Sequence, residues 1–267
     1  MEKISIDAYS LLERVRAQKP IVHHLTNWVT IYDCANIVKV LGGSPVMAHA
    51  KEEVAEMASL ASALVLNIGT LTVELVEAMK IAASSAKNKG IPIILDVCGA
   101  GATTLRDKKS FELLENTHID IIKGNVSEIA RIAGENVVTK GVDAVSVNHD
   151  MRFIAERLAR ERKCTVVVTG KEDIISDTKT TYCVANGDPI MAYVVGTGCM
   201  AASVIATFAA IEKNFVYAST AGLVCFEIAA ELAAKQSPGP GSFKEQLFDY
   251  LFRLDKKTID ERQKVTA

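Results

Sequence analysis

Net charge is scarce in this sequence: 30 Lys and Arg against 32 Asp and Glu among 267 residues leave a formal charge of −2, with a pI near 6.2. The basic residues are scattered singly or in short groups such as "RLARERK", which argues against a nucleic-acid partner. No CxxC pair and no Cys/His grouping at zinc spacing occurs among the six cysteines, so a zinc module and a disulfide framework are both disfavoured. Reduced thiols in a cytoplasmic protein are expected, with Cys34, Cys98, Cys164, Cys183 and Cys225 as plain packing residues. The first twenty residues lack the apolar core and small-residue cleavage site of a signal peptide. The longest apolar stretch, Phe215 to Ala234, is interrupted by Glu227 and Glu231 and is expected to be a buried helix and no membrane span. There is also no repeat, low-complexity tract or long linker, so residues 1–267 are expected to form one domain around a sizeable core.

What is present is alternation. Short β-rich runs, "ALVLN" (63–67), "PIILD" (92–96), "IDIIK" (119–123) and "CTVVVTG" (164–170), are separated by longer amphipathic or Ala-rich segments. That order predicts an α/β layer fold, a mainly parallel sheet with helices on both faces. "TTYCVAN" and "PIMAYVV", flanking "NGD" at Asn186 to Asp188, read as a β-hairpin, because Asn-Gly supplies positive φ angles. "SPGPGSF" (237–243) is too short for a linker and separates two helices.

Ligands of such sheets gather beyond the carboxyl ends of the strands. Those ends carry Asn67 and Gly69 in "NIGT", Asp96 in "LDVCGAGAT", Lys123 and Asn125 in "KGNVSE", and Thr169 and Gly170 in "VVTG". The set suits a polyanion accompanied by a metal ion, although each residue type is also an ordinary turn former. In "GTGCMAAS" the glycines Gly196 and Gly198 let backbone approach an anion, and a helix starting at Cys199 would aim free N–H groups at it. A glycine turn that merely lets helix and strand pack closely is the plainer alternative. Neither "VTGKED" nor "GTGCMA" supplies the GK[ST] of a Walker loop. Gly196, Gly198 and Ala201 match GxGxxA, but too late in the chain and without the following acidic strand end. The five histidines, His23, His24, His49, His118 and His149, show no spacing that points to Cys199 as a nucleophile.

Taken in order, "HLTNWVTIYDCANIVKVLGGSPVMA", "NIGTL", "LDVCGAGAT", "KGNVSE", "VVTGKEDIISD", "NGDPI", "GTGCMAAS" and "GPGSF" resemble hydroxyethylthiazole kinase, within the ribokinase-like superfamily. The resemblance implies a ribokinase-like three-layer fold and magnesium-dependent transfer of the ATP γ-phosphoryl to the hydroxyl of 4-methyl-5-(2-hydroxyethyl)thiazole. It places Met47, which follows a Ser44-Pro45 turn, and Gly196 at the thiazole, with Asn27, Asn67 and Gly69 on the substrate side. Lys123 and Thr169, with Asn125 and Gly170 beside them, fall at ATP-contacting positions, and Asp96 and Glu128 at acidic positions near the metal. It also implies a homotrimer with sites between subunits, where Asn27 would work across an interface. One departure stands out: the family usually reads LDPVGAG where this chain has "LDVCGAG". Losing the proline at Val97 removes a fixed φ, and a looser loop with weaker metal or nucleotide affinity is expected.

Phosphoryl transfer asks mainly for positioning and charge neutralisation, so the amides of Gly196, Thr197, Gly198 and Cys199 are expected to carry most of the catalysis. Other ribokinase-like kinases carry Asp where this chain has Cys199. A thiol with a free pKa of about 8.5 is a poorer base, although a helix N-terminus lowers it, and Cys199 is expected to be a weak or dispensable one. Competing readings are a kinase of another small alcohol (a hydroxymethylpyrimidine or a sugar), a non-catalytic nucleotide-binding regulator, and a Cys-dependent hydrolase.

Overall fold

Val- and Ile-rich runs of four or five residues, too short for helices, form the centre of a ten-stranded sheet in the computed structural model, which describes residues 2–135, 139–140, 143–144 and 150–267. The first half of the chain runs β1 (Lys3–Ile4), α1 (Ala8–Gln18), β2 (Ile21–Leu25), α2 (Ile31–Leu41), β3 (Ser44–Val46), α3 (Val54–Leu60), β4 (Ala63–Asn67), α4 (Val73–Lys89), β5 (Ile93–Asp96) and α5 (Thr104–Asn116). The middle runs β6 (Ile121–Asn125), α6 (Val126–Ile132), the short pair β7 (Thr139–Lys140) and β8 (Asp143–Ala144), α7 (Met151–Arg162), β9 (Thr165–Thr169), β10 (Asp173–Ser176) and β11 (Thr181–Val184). A 3-10 helix at Pro189–Tyr193 leads to α8 (Thr197–Ala209), α9 (Phe215–Gln236), α10 (Pro240–Arg253), α11 (Lys256–Arg262) and β12 (Val265–Thr266).

Local chemistry fixes the ends of these elements. Thr72 caps α4 by accepting the Leu75 amide, and Gly90, at φ +74°, stops it after Lys87 and Lys89. Asn125 and Glu128 form a reciprocal capping box at the start of α6.

The strand order is β1-β12-β11-β10-β9-β6-β5-β4-β2-β3. From β3 to β9 every neighbour is parallel, and from β9 to β1 every neighbour is antiparallel. Alternation along the strands divides the core into two layers. Ala63, Val65, Ile94, Ile121 and Val167 face the layer of α1, α2, α8, α9 and α10. Leu64, Leu66, Ile93, Leu95, Ile122, Val166 and Val168 face the layer of α3, α4, α6 and α7.

The same alternation carries three polar residues onto one face. Asn67, Asp96 and Lys123 are register partners on adjacent strands, Asn67 beside Asp96 and Asp96 beside Lys123. All three lie two residues beyond positions that face the layer of α8. The ribokinase-like arrangement expected from the motifs, a mainly parallel sheet clad in helices on both faces, is thus present.

Three local expectations need correction. "TTYCVAN" does form a strand, β11, but its hairpin partner is β10, with Ser176 opposite Thr181. The intended partner coils into the 3-10 helix, because Pro189 has no N–H for a ladder and Asp188 caps the turn by accepting the Ile190 amide. Ser44 and Pro45 lie in edge strand β3, where a missing N–H is tolerated. Helix α8 begins at Thr197, two residues before Cys199, because Gly196 takes φ +97° as its N-cap.

Helix α9 passes the length and apolarity test for a membrane span, yet 78% of its most apolar window is buried inside the protein. It packs against α8 through Gly222, where an added Cβ would come within 3.2 Å of Val204 and 3.3 Å of Phe208. Phe208 is fully buried at that contact. Phe208→Ala is expected to lower stability by about 3–5 kcal/mol, read as a reduced urea midpoint with an unchanged m-value.

Candidate active site

The polar row at the strand ends is roofed by the first turn of α8. By helix geometry the amides of Thr197, Gly198 and Cys199 have no intrahelical acceptor, and the positive end of the helix dipole lies there too. Gly196 is required by contact as well as by its φ, since a Cβ would meet Thr30 Cγ2 at 2.6 Å. A Cβ at Gly198 would lie 3.2 Å from Lys123 Nζ, so the lysine ammonium sits directly under the turn. The Thr197 hydroxyl donates back to the carbonyl of Met191 at 3.1 Å and fixes the approach to the helix.

Cys199 points into the row. Its sulfur accepts from Asn27 Nδ2 and from Asn67 Nδ2, each at 3.3 Å. The Cys98 thiol also donates to it, and this contact, together with Lys123, Thr30 and Asn27, lowers the Cys199 pKa to about 5 against the opposing effect of burial. The donor Cys98 is correspondingly held protonated, chiefly by that bond. These contacts favour the thiolate form of Cys199, the direction expected of a thiol at a helix N-terminus.

Beneath it, Asp96 is almost fully buried and accepts from Asn67 Nδ2 at 2.7 Å and from Lys123 Nζ at 3.4 Å. Burial pushes its carboxyl above the ordinary range while Lys123 pulls it back. Lys123, only 4% exposed, is disfavoured as a cation by burial, but Asp96, Glu128 and Cys199 outweigh that and hold it charged. Glu128 accepts the amides of Gly99 and Asn125, both at 2.7 Å. Among the described residues no group of three His, Cys, Asp or Glu side chains could hold a metal on its own.

The remaining residues form the rim. The Gly69 amide donates to Asn67 Oδ1 at 2.9 Å. Asn125 Oδ1 accepts the Glu128 amide at 2.9 Å. The Thr169 hydroxyl donates to the Gly124 carbonyl at 3.3 Å, and the Gly170 amide to Asp173 Oδ1 at 2.9 Å. Met47 is half-buried at the end of β3; no described side-chain hydrogen bond joins it to the cysteine cluster. Asn27 turns inward, buried at 3%, and its side chain donates to Asn67 Oδ1 and to the Cys199 sulfur.

Comparison with known proteins identifies the family. The model of the hydroxyethylthiazole kinase family matches residues 12–257. A hydroxyethylthiazole kinase of Methanosarcina mazei is 50% identical over 254 residues, covering 95% of this chain and 97% of that one. The chain belongs to the hydroxyethylthiazole kinase family. A solved hydroxyethylthiazole kinase of Pyrococcus horikoshii superposes with a TM-score of 0.90 at 40% identity, covering 97% of this chain and 98% of that one. A ribokinase-like superfamily protein of Enterococcus faecalis shares the fold at 13% identity, with a TM-score of 0.65 over 95% of this chain and 99% of that one.

Against the usual hydroxyethylthiazole kinase motif, Val97 and Cys98 acquire definite roles. The Val97 amide donates to the Lys123 carbonyl at 3.0 Å, a bond that proline cannot make. The loop is thus tied by a hydrogen bond where a fixed φ is missing. Cys98 does more than fill space, since its contact with Cys199 favours the ionised form of that thiol. The other four cysteines are buried free thiols as expected. Burial pushes Cys34, Cys164 and Cys225 each up to about 12.

Sequence reasoning missed two further parts. Arg106 in α5 spans both loops, donating to the carbonyls of Ile68, Gly69 and Cys98 at 2.6–2.9 Å. His49 accepts the Thr26 amide at 3.0 Å and donates through Nδ1 to the Met47 carbonyl at 3.0 Å, clipping Met47 beside the strand that leads to Asn27. No short motif marks either residue, because each acts on backbone supplied by distant segments. Among the other histidines, His24 bonds to Ser203 and is held neutral by burial, its pKa lowered to about 3. His149 lies outside the described residues.

Cys98→Val removes the leading donor to the thiolate. The Cys199 pKa is expected to rise by about one unit or more, read from the pH dependence of alkylation followed by peptide mass spectrometry.

Proposed function

We propose that the chain transfers the γ-phosphoryl group of ATP to the hydroxyl of 4-methyl-5-(2-hydroxyethyl)thiazole, a salvage step toward thiamine, acting as one domain across residues 1–267. The observation that carries this reading is the first turn of α8, whose free amides and underlying Lys123 face one point beside the Cys199 thiolate. A transferring phosphoryl group spreads negative charge over its oxygens, and such pre-aimed donors stabilise it without reorganisation.

In this mechanism the amides of Thr197, Gly198 and Cys199 hold the γ-phosphoryl oxygens, with Gly196 shaping the turn, and Lys123 neutralises the developing charge. Asn125, Thr169 and Gly170 border the rest of the nucleotide. Met47, Asn67 and Gly69 border the thiazole, and Asn27 fixes the Cys199 sulfur. As a thiolate, Cys199 has room to take the proton of the attacking hydroxyl, but its low pKa makes it a weak base. The amides therefore carry most of the rate.

Asp96 and Glu128 fit a magnesium ion that keeps part of its water shell. They are two buried carboxylates within electrostatic reach of one another, each already accepting hydrogen bonds, too few for a dry cage. Magnesium supplies charge neutralisation on the phosphates when bound.

The exposed apolar residues Trp28, Val29 and Tyr32 beside Asn27, and Tyr193 and Val195 beside Gly196, flank the site. They support covering by a second copy of the chain, and hence a homotrimer with sites at its interfaces. A sedimentation mass close to 28.8 kDa would overturn that assembly. The six free cysteines support a cytoplasmic location.

ADP release measured with magnesium and ATP is expected to depend on the thiazole and to yield a phosphorylated thiazole by mass spectrometry. Cys199→Ala is expected to retain turnover, reduced by roughly 10²-fold at most. Total loss of turnover in a folded, ATP-binding variant would make Cys199 an essential base. ADP released only with a different alcohol would move the substrate to that alcohol.

A further inference from the structure

Behind the corner formed by Thr169 and Gly170 lies a pair of acids that phosphoryl transfer does not use. Asp173 opens β10 and Glu227 lies midway along α9; they are 4% and 6% exposed. Their carboxyl groups are in hydrogen-bond contact, and Glu227 Oε2 finds no ordinary donor. Two acids share such a contact only if one keeps its proton.

The surroundings decide which one keeps it. Burial, then Asp173, then Glu231 push the Glu227 carboxyl well above its usual range, opposed by Lys264. Asp173 is also raised by burial, but the Glu227 bond, the Gly170 amide and Lys123 all favour its charged form. Asp173, which also accepts the Gly170 amide, is favoured as the carboxylate, and Glu227, whose Oε2 has no such donor, as the acid. The turn at Gly187 closes over the pair, its missing Cβ 3.8 Å from Glu227 Cγ and Cδ.

Asp173 spends its other contact on the corner, where its Oδ1 accepts the Gly170 amide at 2.9 Å. That amide is therefore committed inward and does not reach a phosphate. The three residues between β9 and β10 are thereby tied to the buried acids.

We infer that Glu227 and Asp173 are a proton-sharing pair of positioning residues that hold the corner from Thr169 to Asp173 in the shape that receives ATP. This rests on the proposal that Thr169 and Gly170 border the nucleotide. Without the Glu227 proton, Asp173 becomes an unpaired buried charge that relaxes toward water and draws the Gly170 amide with it.

The test compares wild type, Glu227→Gln and Glu227→Leu by ATP binding calorimetry, KM and kcat for both substrates, and thermal unfolding. Glutamine keeps a donor that cannot ionise; leucine keeps none. Glu227→Leu is expected to bind ATP about fivefold or more weakly, with its thiazole KM unchanged, while Glu227→Gln stays near wild type at pH 7. A raised folded pKa contributes stability below the unfolded value and loses it as pH rises through the folded value. Wild type should therefore lose stability and ATP affinity on the alkaline side, with a smaller loss in Glu227→Gln.

Unchanged ATP affinity in folded Glu227→Leu overturns this inference alone. If that variant does not fold, parallel alkaline profiles of wild type and Glu227→Gln overturn it. Wild type that binds no ATP overturns the reading of the site, and this inference with it.

Discussion

A lysine ammonium buried to 4% exposure is the constraint around which the site is organised. Desolvation would drive its proton off were it alone. It persists because β5 presents Asp96 at the neighbouring register position, α6 presents Glu128, and α8 brings in Cys199. Removing one partner of such a buried arrangement commonly costs about 3–5 kcal/mol. The surrounding groups follow from it: Asn67 satisfies Asp96, the capping box of α6 satisfies Glu128, and Asn27, Asn67 and Cys98 satisfy the thiolate.

Much of the fold was legible in the sequence because strands buried on both faces are short, apolar and bounded by polar residues. "ALVLN" matches β4 residue for residue, and the other three runs match β5, β6 and β9 to within two residues. The errors arose where one residue overrode the pattern. Pro189 turned an apolar run into a 3-10 helix, and Gly196 started α8 two residues early.

The candidate site was legible as a set of strand ends and one helix start, since Asn67, Asp96, Lys123 and Cys199 do converge. Its electrostatics were not. Cys98 looks apolar by its company, and only its approach to Cys199 makes it a donor. Arg106 and His49 grip main-chain carbonyls, which every residue possesses, so their identity leaves no trace in the motifs they support. Asn27 illustrates the reverse case, a residue singled out in the sequence whose side chain faces inward while Trp28 and Tyr32 face out.

The register that aligns Asn67, Asp96 and Lys123 limits how such a chain can vary. Side chains alternate across a sheet with period two, so inserting or deleting one residue within β4, β5 or β6 would send that strand's polar member into the opposite apolar layer. A single such event would both strand a charge in hydrocarbon and empty the site. Length variation is thereby kept out of these three strands, which are free to change only by substitution.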